Sequence, residues 1–294
     1  MLQFQYEAPW VSTFDQLINS ELKHNNSLPF ITFQFSTIDV KSGYPKNRTV
    51  VFRGWLFNNK SSNVIIFTTD KRMEKYSELK LNDKFEACFW LGCCKKQFRF
   101  RGKARILDEE NKPKIDISNI EKGHIINDAD SINTINTINT ITINEEQTKN
   151  DDPPEINLNN KETSVQSIPI HSSLLSPKFV ENEANSTSLP SKYLTPSHEE
   201  YDAEVKRQWN QLSKNMKNSF KKPPSKSIMT DETQKTISSI KRGVDGKKDD
   251  YGFKNFALIG LFIDYVDLYD LDKDKRFIYE MNENQQWIEN EVCP

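Results

Sequence analysis

The alternation of hydrophobic and polar residues around position 60 predicts a β-hairpin that leads into a short helix. Val50–Phe57 and Val64–Thr69 are rich in β-branched and aromatic residues, and the polar residues 58–62 between them predict a turn. After Thr69 the apolar positions recur at helical spacing, and Asp70 is placed to cap the start of a helix.

The rest of the first 108 residues extends this arrangement. An amphipathic helix is predicted over residues 9–20, and further strands are predicted at Phe30–Val40, Lys84–Trp90 and Gln97–Leu107. The last of these strands alternates clearly, with Phe98, Phe100, Ala104 and Ile106 on one face and Gln97, Arg99, Arg101, Lys103 and Arg105 on the other. Five strand segments with short connections favour an antiparallel barrel over a βαβ sheet.

A second structured part is predicted after residue 199. One helix carries the apolar stripe Tyr201, Val205, Trp209, Leu212 and Met216, and a second covers residues 231–241 and ends at Gly243. Strands are predicted at Phe256–Leu268, Arg276–Met281 and Gln286–Val292. The first of these is almost continuously apolar, which is typical of a strand that is buried on both faces.

The tract between the two parts has a different composition. Residues 112–199 are rich in Asn, Ser, Thr, Glu and Pro, include three Ile-Asn-Thr repeats, and have no aromatic residue before Phe179. Such a segment cannot bury enough apolar surface to offset its ordering entropy, so we expect disorder. A β-solenoid is the alternative, but three short repeats are too few to stack. We therefore expect residues 1–111 and 200–294 to form one domain interrupted by residues 112–199.

Composition and charge exclude several classes of function. The chain has 294 residues and a formal net charge of −2, which does not favour general binding to nucleic acid or to anionic membranes. We expect no signal peptide, because residues 1–10 have neither a basic segment nor an apolar run. We expect no membrane span, because no apolar run approaches about 20 residues. The four cysteines have no paired spacing and the four histidines are scattered, so we expect reduced thiols, no metal site, and a cytoplasmic or nuclear location.

Two cations near the start of the predicted short helix indicate anion binding. Arg72 and Lys75 are three residues apart, so their side chains are neighbours on the helix surface. Free N–H groups at a helix N-terminus together with adjacent cations suit a phosphate. The alternative is a solvated charged face, which many surface helices have.

Several short motifs, in order, resemble the pyridoxamine 5′-phosphate oxidase family and, within it, the FMN-binding branch found in fungi and cyanobacteria. The motifs are Arg48-Thr49-Val50-Val51-Phe52-Arg53, Phe67-Thr68-Thr69, the Arg72/Lys75 pair, Gln97 ahead of Arg101-Gly102-Lys103-Ala104, Arg242–Gly246, and Arg276-Phe277-Ile278-Tyr279 followed by Trp287. The resemblance covers residues 9–108 and 201–294. It does not include the tract between them.

The resemblance implies a mainly β protein with flanking helices, built as an antiparallel split barrel. It implies a homodimer with FMN at the subunit interface. By position, Arg48 and Lys75 reach the FMN phosphate, with Arg72 as a third cation, and Gln97 acts from the other subunit. The remaining cofactor residues implied are Thr49, Val50, Val51, Phe52 and Arg53 along the flavin ring, Thr68 and Thr69 lining it, Tyr269 as the aromatic residue, and Arg276 at the N1/O2 edge.

The sequence departs from the family where the substrate phosphate is held. True pyridoxamine phosphate oxidases have an Arg-x-His motif just before the final arginine, whereas this chain has Asp272-Lys273-Asp274. Two carboxylates repel a dianionic phosphate. We therefore expect FMN binding with weak or no pyridoxamine phosphate oxidase activity.

Three functions stay open on the sequence alone. The first is an FMN-dependent oxidoreductase that acts on an unidentified small molecule, with its catalytic residues unassigned. The second is a flavin-binding or flavin-sensing module without catalysis. The third is a nucleic-acid-binding barrel that uses the basic strand Gln97–Leu107. We do not favour it, because its phenylalanines point away from its cations and leave no stacking platform.

Overall fold

The computed structural model describes residues 7–24, 29–118, 165–178, 195–244, 246 and 249–294. The α-helices are α1 (Pro9–His24), α2 (Glu74–Leu81), α3 (His198–Gln211), α4 (Lys214–Ser219) and α5 (Asp231–Arg242). Short 3₁₀ turns lie at Leu56–Asn58, Lys60–Ser62, Val165–Ser167 and Asp249–Asn255. No helix in these ranges is long and apolar enough to cross a membrane.

One antiparallel sheet of eight strands contains both structured parts of the chain. Its strands are β1 (Thr32–Ile38), β2 (Pro45–Val51), β3 (Val64–Asp70), β4 (Lys84–Leu91), β5 (Lys96–Leu107), β8 (Phe256–Asp270), β9 (Lys275–Met281) and β10 (Trp287–Val292). The order is β10-β9-β8-β5-β4-β1-β2, and β3 pairs with β8. Strand β8 pairs with β5 along one edge and with β3 and then β9 along the other, so it joins the two parts of the chain.

The alternation of the strands fills the inside of this curved sheet with aromatic rings. Phe33 stacks on Phe89, with ring centroids 4.2 Å apart, and both are fully buried. Helix α1 closes one side of the core, because Trp10 and Phe14 on its apolar face pack against the barrel rings, including Phe100. The predicted amphipathic helix and the predicted inward face of β5 are both confirmed.

A second hydrophobic cluster covers the outer face of β3 and the first half of β8. Tyr201, Val205 and Trp209 from α3 pack there, which explains why these two strands are apolar at nearly every position. The helical stripe predicted over 201–216 is divided in the structure. Helix α3 ends at Gln211, and Ser213 caps α4 by accepting a hydrogen bond from the Met216 amide.

The predicted hairpin around residue 60 is wrong. Strand β2 pairs with β1, and β3 pairs with β8. Only a short stretch links the two segments, through the bridge between Trp55 and Ile65 and the hydrogen bond from the Arg53 amide to the Ile66 carbonyl. The intervening residues form two 3₁₀ turns, and Phe57 and Asn63 take left-handed conformations there.

Parts of the tract expected to be disordered are packed on the domain. Ile115–Asp116 (β6) pairs in parallel with Ile170–His171 (β7), and Ile170 and Leu174 are buried. This segment also covers Arg105, which was expected on the outer face but is fully buried, bonded to Asp83 and to the Ile168 carbonyl. The Ile-Asn-Thr repeats lie outside the described residues.

Candidate functional site

The barrel has an open seam between β2 and β3. Strand β2 ends the pairing order, and the opposite edge of β3 belongs to β8. Pairing between the two strands is confined to Arg53–Trp55 and Ile65–Ile66, and beyond it the described residues record no further pairing of β2 with β3. Unpaired strand edges expose backbone donors and acceptors, so the seam can receive a ligand that makes hydrogen bonds along it.

Two cations lie near the end of the seam away from the Arg53–Ile66 pairing, which we call its wide end. Arg48 shares a face with its neighbour Phe35, which is buried, so its side chain lies on the inner face of the barrel end. There it donates hydrogen bonds to the Thr37 hydroxyl at 2.6 Å and to a Glu78 carboxylate oxygen at 2.8 Å. These bonds hold the guanidinium in place near the start of α2, while part of its surface remains accessible.

Lys75 lies on the first turn of α2 beside Arg48. Burial, and next the positive charge of Arg48, lower the pKa of the Lys75 ammonium to about 8. Its Nζ lies 3.0 Å from the Met73 sulfur, a weak acceptor that does not neutralise it. A desolvated ammonium next to a guanidinium is a site that an anion stabilises.

Arg72, the third cation that the resemblance implies, already has partners of its own, so we expect it to contribute less to a phosphate site than Arg48 and Lys75. Two nitrogens of its guanidinium donate hydrogen bonds to the Asp70 carboxylate, at 2.8 and 2.6 Å. It also donates to the Lys222 carbonyl at 2.8 Å and to the Phe220 carbonyl at 3.1 Å. Asp70 is not the helix cap. It ends β3, and α2 begins after Met73.

We expect Arg72→Ala to lower the free energy of unfolding by about 2 kcal/mol, because it removes these hydrogen bonds and leaves the mostly buried Asp70 without its cation. Denaturant unfolding measures the loss. Arg72→Lys should restore little of it, since an ammonium cannot make the two-point contact. Full recovery in the lysine variant would show that only the charge matters.

The other residues expected at the flavin ring border the seam. Val50 and Thr69 are buried, Val51, Phe52 and Thr68 are half-buried, and Thr49 is exposed on the outer face. Arg53 lies past the end of β2, so the alternation of side chains between the two faces of the strand does not fix its direction. Its Nε is buried and has no hydrogen-bond partner among the described residues, and burial lowers the pKa of its guanidinium. A buried guanidinium nitrogen with an unused hydrogen is a suitable donor to an anionic ligand in the seam.

A second group of expected residues forms one row across neighbouring strands. Gln97 on β5 lies opposite Tyr269 on β8, and Tyr269 lies opposite Arg276 on β9. Directly paired residues point to the same side of a sheet, and Phe98 next to Gln97 is buried, so this row is on the outer face. Trp90 on β4 extends the row beyond Gln97 and is 49% exposed.

The turn after β8 contains Asp272 and Asp274, which stand where the family motif has Arg-x-His. Asp272 pairs with Lys95 at 3.0 Å, and Asp274 accepts a hydrogen bond from the Tyr269 hydroxyl at 3.2 Å. Asp272 and Asp274 are both exposed. The Asp-Lys-Asp turn therefore places carboxylate oxygens beside Tyr269 and the row that contains Arg276.

A separate surface pocket lies at the opposite end of β3 from Thr68. Its lining includes Lys103, His171, Asp264 and Glu283. The mixed charges there do not form a cradle for a phosphate, so the seam is the better candidate for a phosphorylated ligand.

Known proteins match one part of the chain or nearly all of it. Residues 7–108 match the family described as pyridoxamine 5′-phosphate oxidase, FMN-binding domain. A protein of Saccharomyces cerevisiae, "Uncharacterized protein YGR017W", is 31% identical over 98% of both chains. Pyridoxine/pyridoxamine 5′-phosphate oxidase 2 of Arabidopsis thaliana is 33% identical over 41% of this chain and 57% of its own length. The chain belongs to the pyridoxamine 5′-phosphate oxidase-related FMN-binding family, and its cofactor is FMN.

Solved structures share the same fold. An FMN-binding protein of Nostoc punctiforme related to pyridoxamine 5′-phosphate oxidase superposes with a TM-score of 0.58 at 17% identity, over 98% of both chains. PhzG of Burkholderia lata, solved with tetrahydrophenazine-1-carboxylic acid, superposes with a TM-score of 0.53 at 11% identity, over 100% of this chain and 97% of its own. The expected antiparallel split-barrel fold is confirmed.

Three residues at these sites were missed by sequence reasoning. Glu78 holds Arg48, Trp90 extends the outer row, and Asp267 joins two arginines beside it. Glu78 could have been found, because it lies three residues after Lys75 on the same helix. The other two depend on strand register, which a single sequence does not give.

Proposed function

We propose that this protein is an FMN-dependent oxidoreductase that holds the flavin in the seam between β2 and β3, with the phosphate at Arg48 and Lys75. The observation that carries the proposal is the pair of cations at the wide end of the seam, where the Arg48 guanidinium is held by Glu78 and the Lys75 ammonium beside it is largely desolvated. Arg53, whose buried Nε has no hydrogen-bond partner within the described ranges, supplies a third positive group where β2 meets β3. Bound FMN would supply the redox chemistry, and the chain would bind and orient it.

The pH dependence of FMN affinity follows from the Lys75 pKa. The free protein loses the Lys75 proton near pH 8, whereas a bound phosphate favours the ammonium, so binding above pH 8 takes up a proton. We expect affinity to be highest between about pH 6, where the phosphate becomes dianionic, and pH 8, and to fall by up to about tenfold per pH unit above that. Fluorescence titrations at a series of pH values test this.

Lys75→Gln is the control for the pH series. It should bind FMN more weakly at neutral pH and should lose the fall between pH 8 and pH 10. An unchanged alkaline fall in this variant would assign the titration to another group.

We further propose that the working unit is a homodimer with FMN between subunits. Arg48 lies on the inner face of the barrel wall, whereas Gln97 and Arg276 lie on the outer face. One flavin held at the seam of one protomer can meet this outer row if a second protomer presents it. Sedimentation of the FMN-loaded protein should give twice the mass of the chain, and a monomer that retains full FMN affinity would contradict the dimeric site.

The substrate is proposed to be a small molecule other than pyridoxamine 5′-phosphate. Asp272 and Asp274 occupy the turn beside Tyr269 and would repel a substrate phosphate. Incubation of the FMN-loaded protein with pyridoxamine 5′-phosphate under oxygen should give little or no pyridoxal 5′-phosphate. A turnover rate typical of pyridoxamine phosphate oxidases would contradict this.

A test with reduced nicotinamide nucleotides separates a reductase from a module that only binds flavin. Mixing the FMN-loaded protein with NADH or NADPH in a stopped-flow instrument should bleach the flavin absorbance near 450 nm if the protein is a reductase. A flavin that stays oxidised with both nucleotides would favour the flavin-binding module.

A further inference from the structure

Asp267 joins two arginines on the outer face of the sheet. It lies in the middle of β8, and its side chain is only 2% exposed. Arg276 on β9 donates to both of its oxygens, at 2.9 and 2.6 Å, and Arg99 on β5 donates to it from the other side. Burial alone would raise the pKa of this carboxyl, but the hydrogen bonds from Arg276 and Arg99 outweigh burial and hold the pKa below its ordinary value.

The position of this group connects it to the proposed flavin site. Asp267 is two residues before Tyr269 on the same strand, so both side chains point to the outer face. Its partner Arg276 lies in the row with Gln97 and Tyr269. Two guanidinium groups and one carboxylate give this cluster a net charge of +1.

The geometry points to Asp267 as a positioning residue that sets how much positive charge Arg276 brings to the flavin. This inference rests on the proposed function, in which a second protomer presents Arg276 to the flavin, and on the family resemblance, which implies that Arg276 approaches the N1/O2 edge of the ring. The carboxylate fixes the Arg276 guanidinium by a two-point contact and cancels one of the two positive charges. Positive charge near N1 stabilises electron-rich forms of a flavin, so Asp267 moderates that effect.

The test uses FMN-loaded full-length protein and reversible sulfite addition, which places negative charge at the N1/O2 edge. Asp267→Asn keeps the size of the side chain and one accepting oxygen but raises the cluster to +2. It should tighten sulfite binding by about tenfold and raise the flavin midpoint potential. Arg276→Gln should act in the opposite direction. The matched control Glu291→Gln removes a carboxylate from an exposed ion pair with Lys275, and should leave sulfite affinity unchanged.

The outcomes separate this inference from the proposed function. If wild-type protein fails to bind FMN in a fluorescence titration, the proposed function is wrong. If FMN binds normally and Asp267→Asn leaves sulfite affinity unchanged or weakens it, only the role of Asp267 is overturned. Should Asp267→Asn not fold, Arg99→Gln replaces it in the comparison. Arg99→Gln lowers the cluster charge and should weaken sulfite binding, whereas an unchanged affinity would contradict the inference.

Discussion

Replacing Arg48 and Lys75 together by glutamine should lower the affinity for FMN by about a thousandfold. Each cation is expected to make a charge-assisted hydrogen bond to the phosphate, worth about 1.5–3 kcal/mol. The double variant also leaves Glu78 without its guanidinium partner, so a buried carboxylate would then face the phosphate. Quenching of FMN fluorescence on binding measures the dissociation constant.

A matched control removes two positive charges elsewhere. Lys84→Gln with Lys235→Gln gives the same change in net charge, at two exposed lysines at the start of β4 and in α5. This control should bind FMN within about threefold of wild type, since exposed charges away from the ligand contribute little. Equal loss in both double variants would mean that overall charge, and not the seam, attracts the phosphate.

Gly102→Ala should lower the free energy of unfolding by about 3 kcal/mol or more. Gly102 lies at the bulge where β5 shifts its register against β8, with φ at +155°. A Cβ built there would lie 2.0 Å from the Phe262 carbonyl oxygen, which belongs to the backbone and cannot move without breaking the pairing. The strand that joins the two parts of the chain would therefore shift. Denaturant unfolding followed by circular dichroism measures the loss.

Gly92→Ala provides the comparison for this glycine. It lies in the turn between β4 and β5, has no positive φ, and a Cβ there would make an ordinary contact of 3.5 Å with the Trp90 side chain. We expect a change within about 1 kcal/mol. If Gly102→Ala were as stable as Gly92→Ala, the bulge would be tolerant and the close approach to Phe262 unimportant.

The sequence predicts the individual elements of this fold better than it predicts their partners. The alternation in β5 and the continuous apolar run in β8 follow from burial on one face or two, and both predictions are confirmed. The hairpin around residue 60 fails, because composition marks a strand without saying which strand it pairs with. β3 finds its partner almost 200 residues away, at Phe256–Phe262. For Arg105, the sequence shows only that it alternates with apolar residues along β5, which predicts an exposed side chain. The segment around Ile168 that buries it comes from a distant part of the chain.

The same limit applies to the candidate site. The order of motifs pairs Arg48 with Lys75, and in the structure the charge of Arg48 acts on Lys75. That the two hold a phosphate stays a prediction. Arg72 has the same charge and spacing but is held by Asp70 and by the carbonyls of Phe220 and Lys222. Spacing along a helix cannot reveal partners that are 150 residues away. Cross-strand register, which gives Asp267 its two arginines, is likewise available only from the fold.

The most direct test compares the affinity of the wild-type protein for FMN and for riboflavin, which differ only in the phosphate. If the cations at the wide end of the seam hold that phosphate, FMN should bind at least about a hundredfold more tightly than riboflavin at pH 7. Lys75→Gln should reduce the preference. Equal affinity for the two flavins would contradict the account, because Arg48 and Lys75 would then have no phosphate to hold.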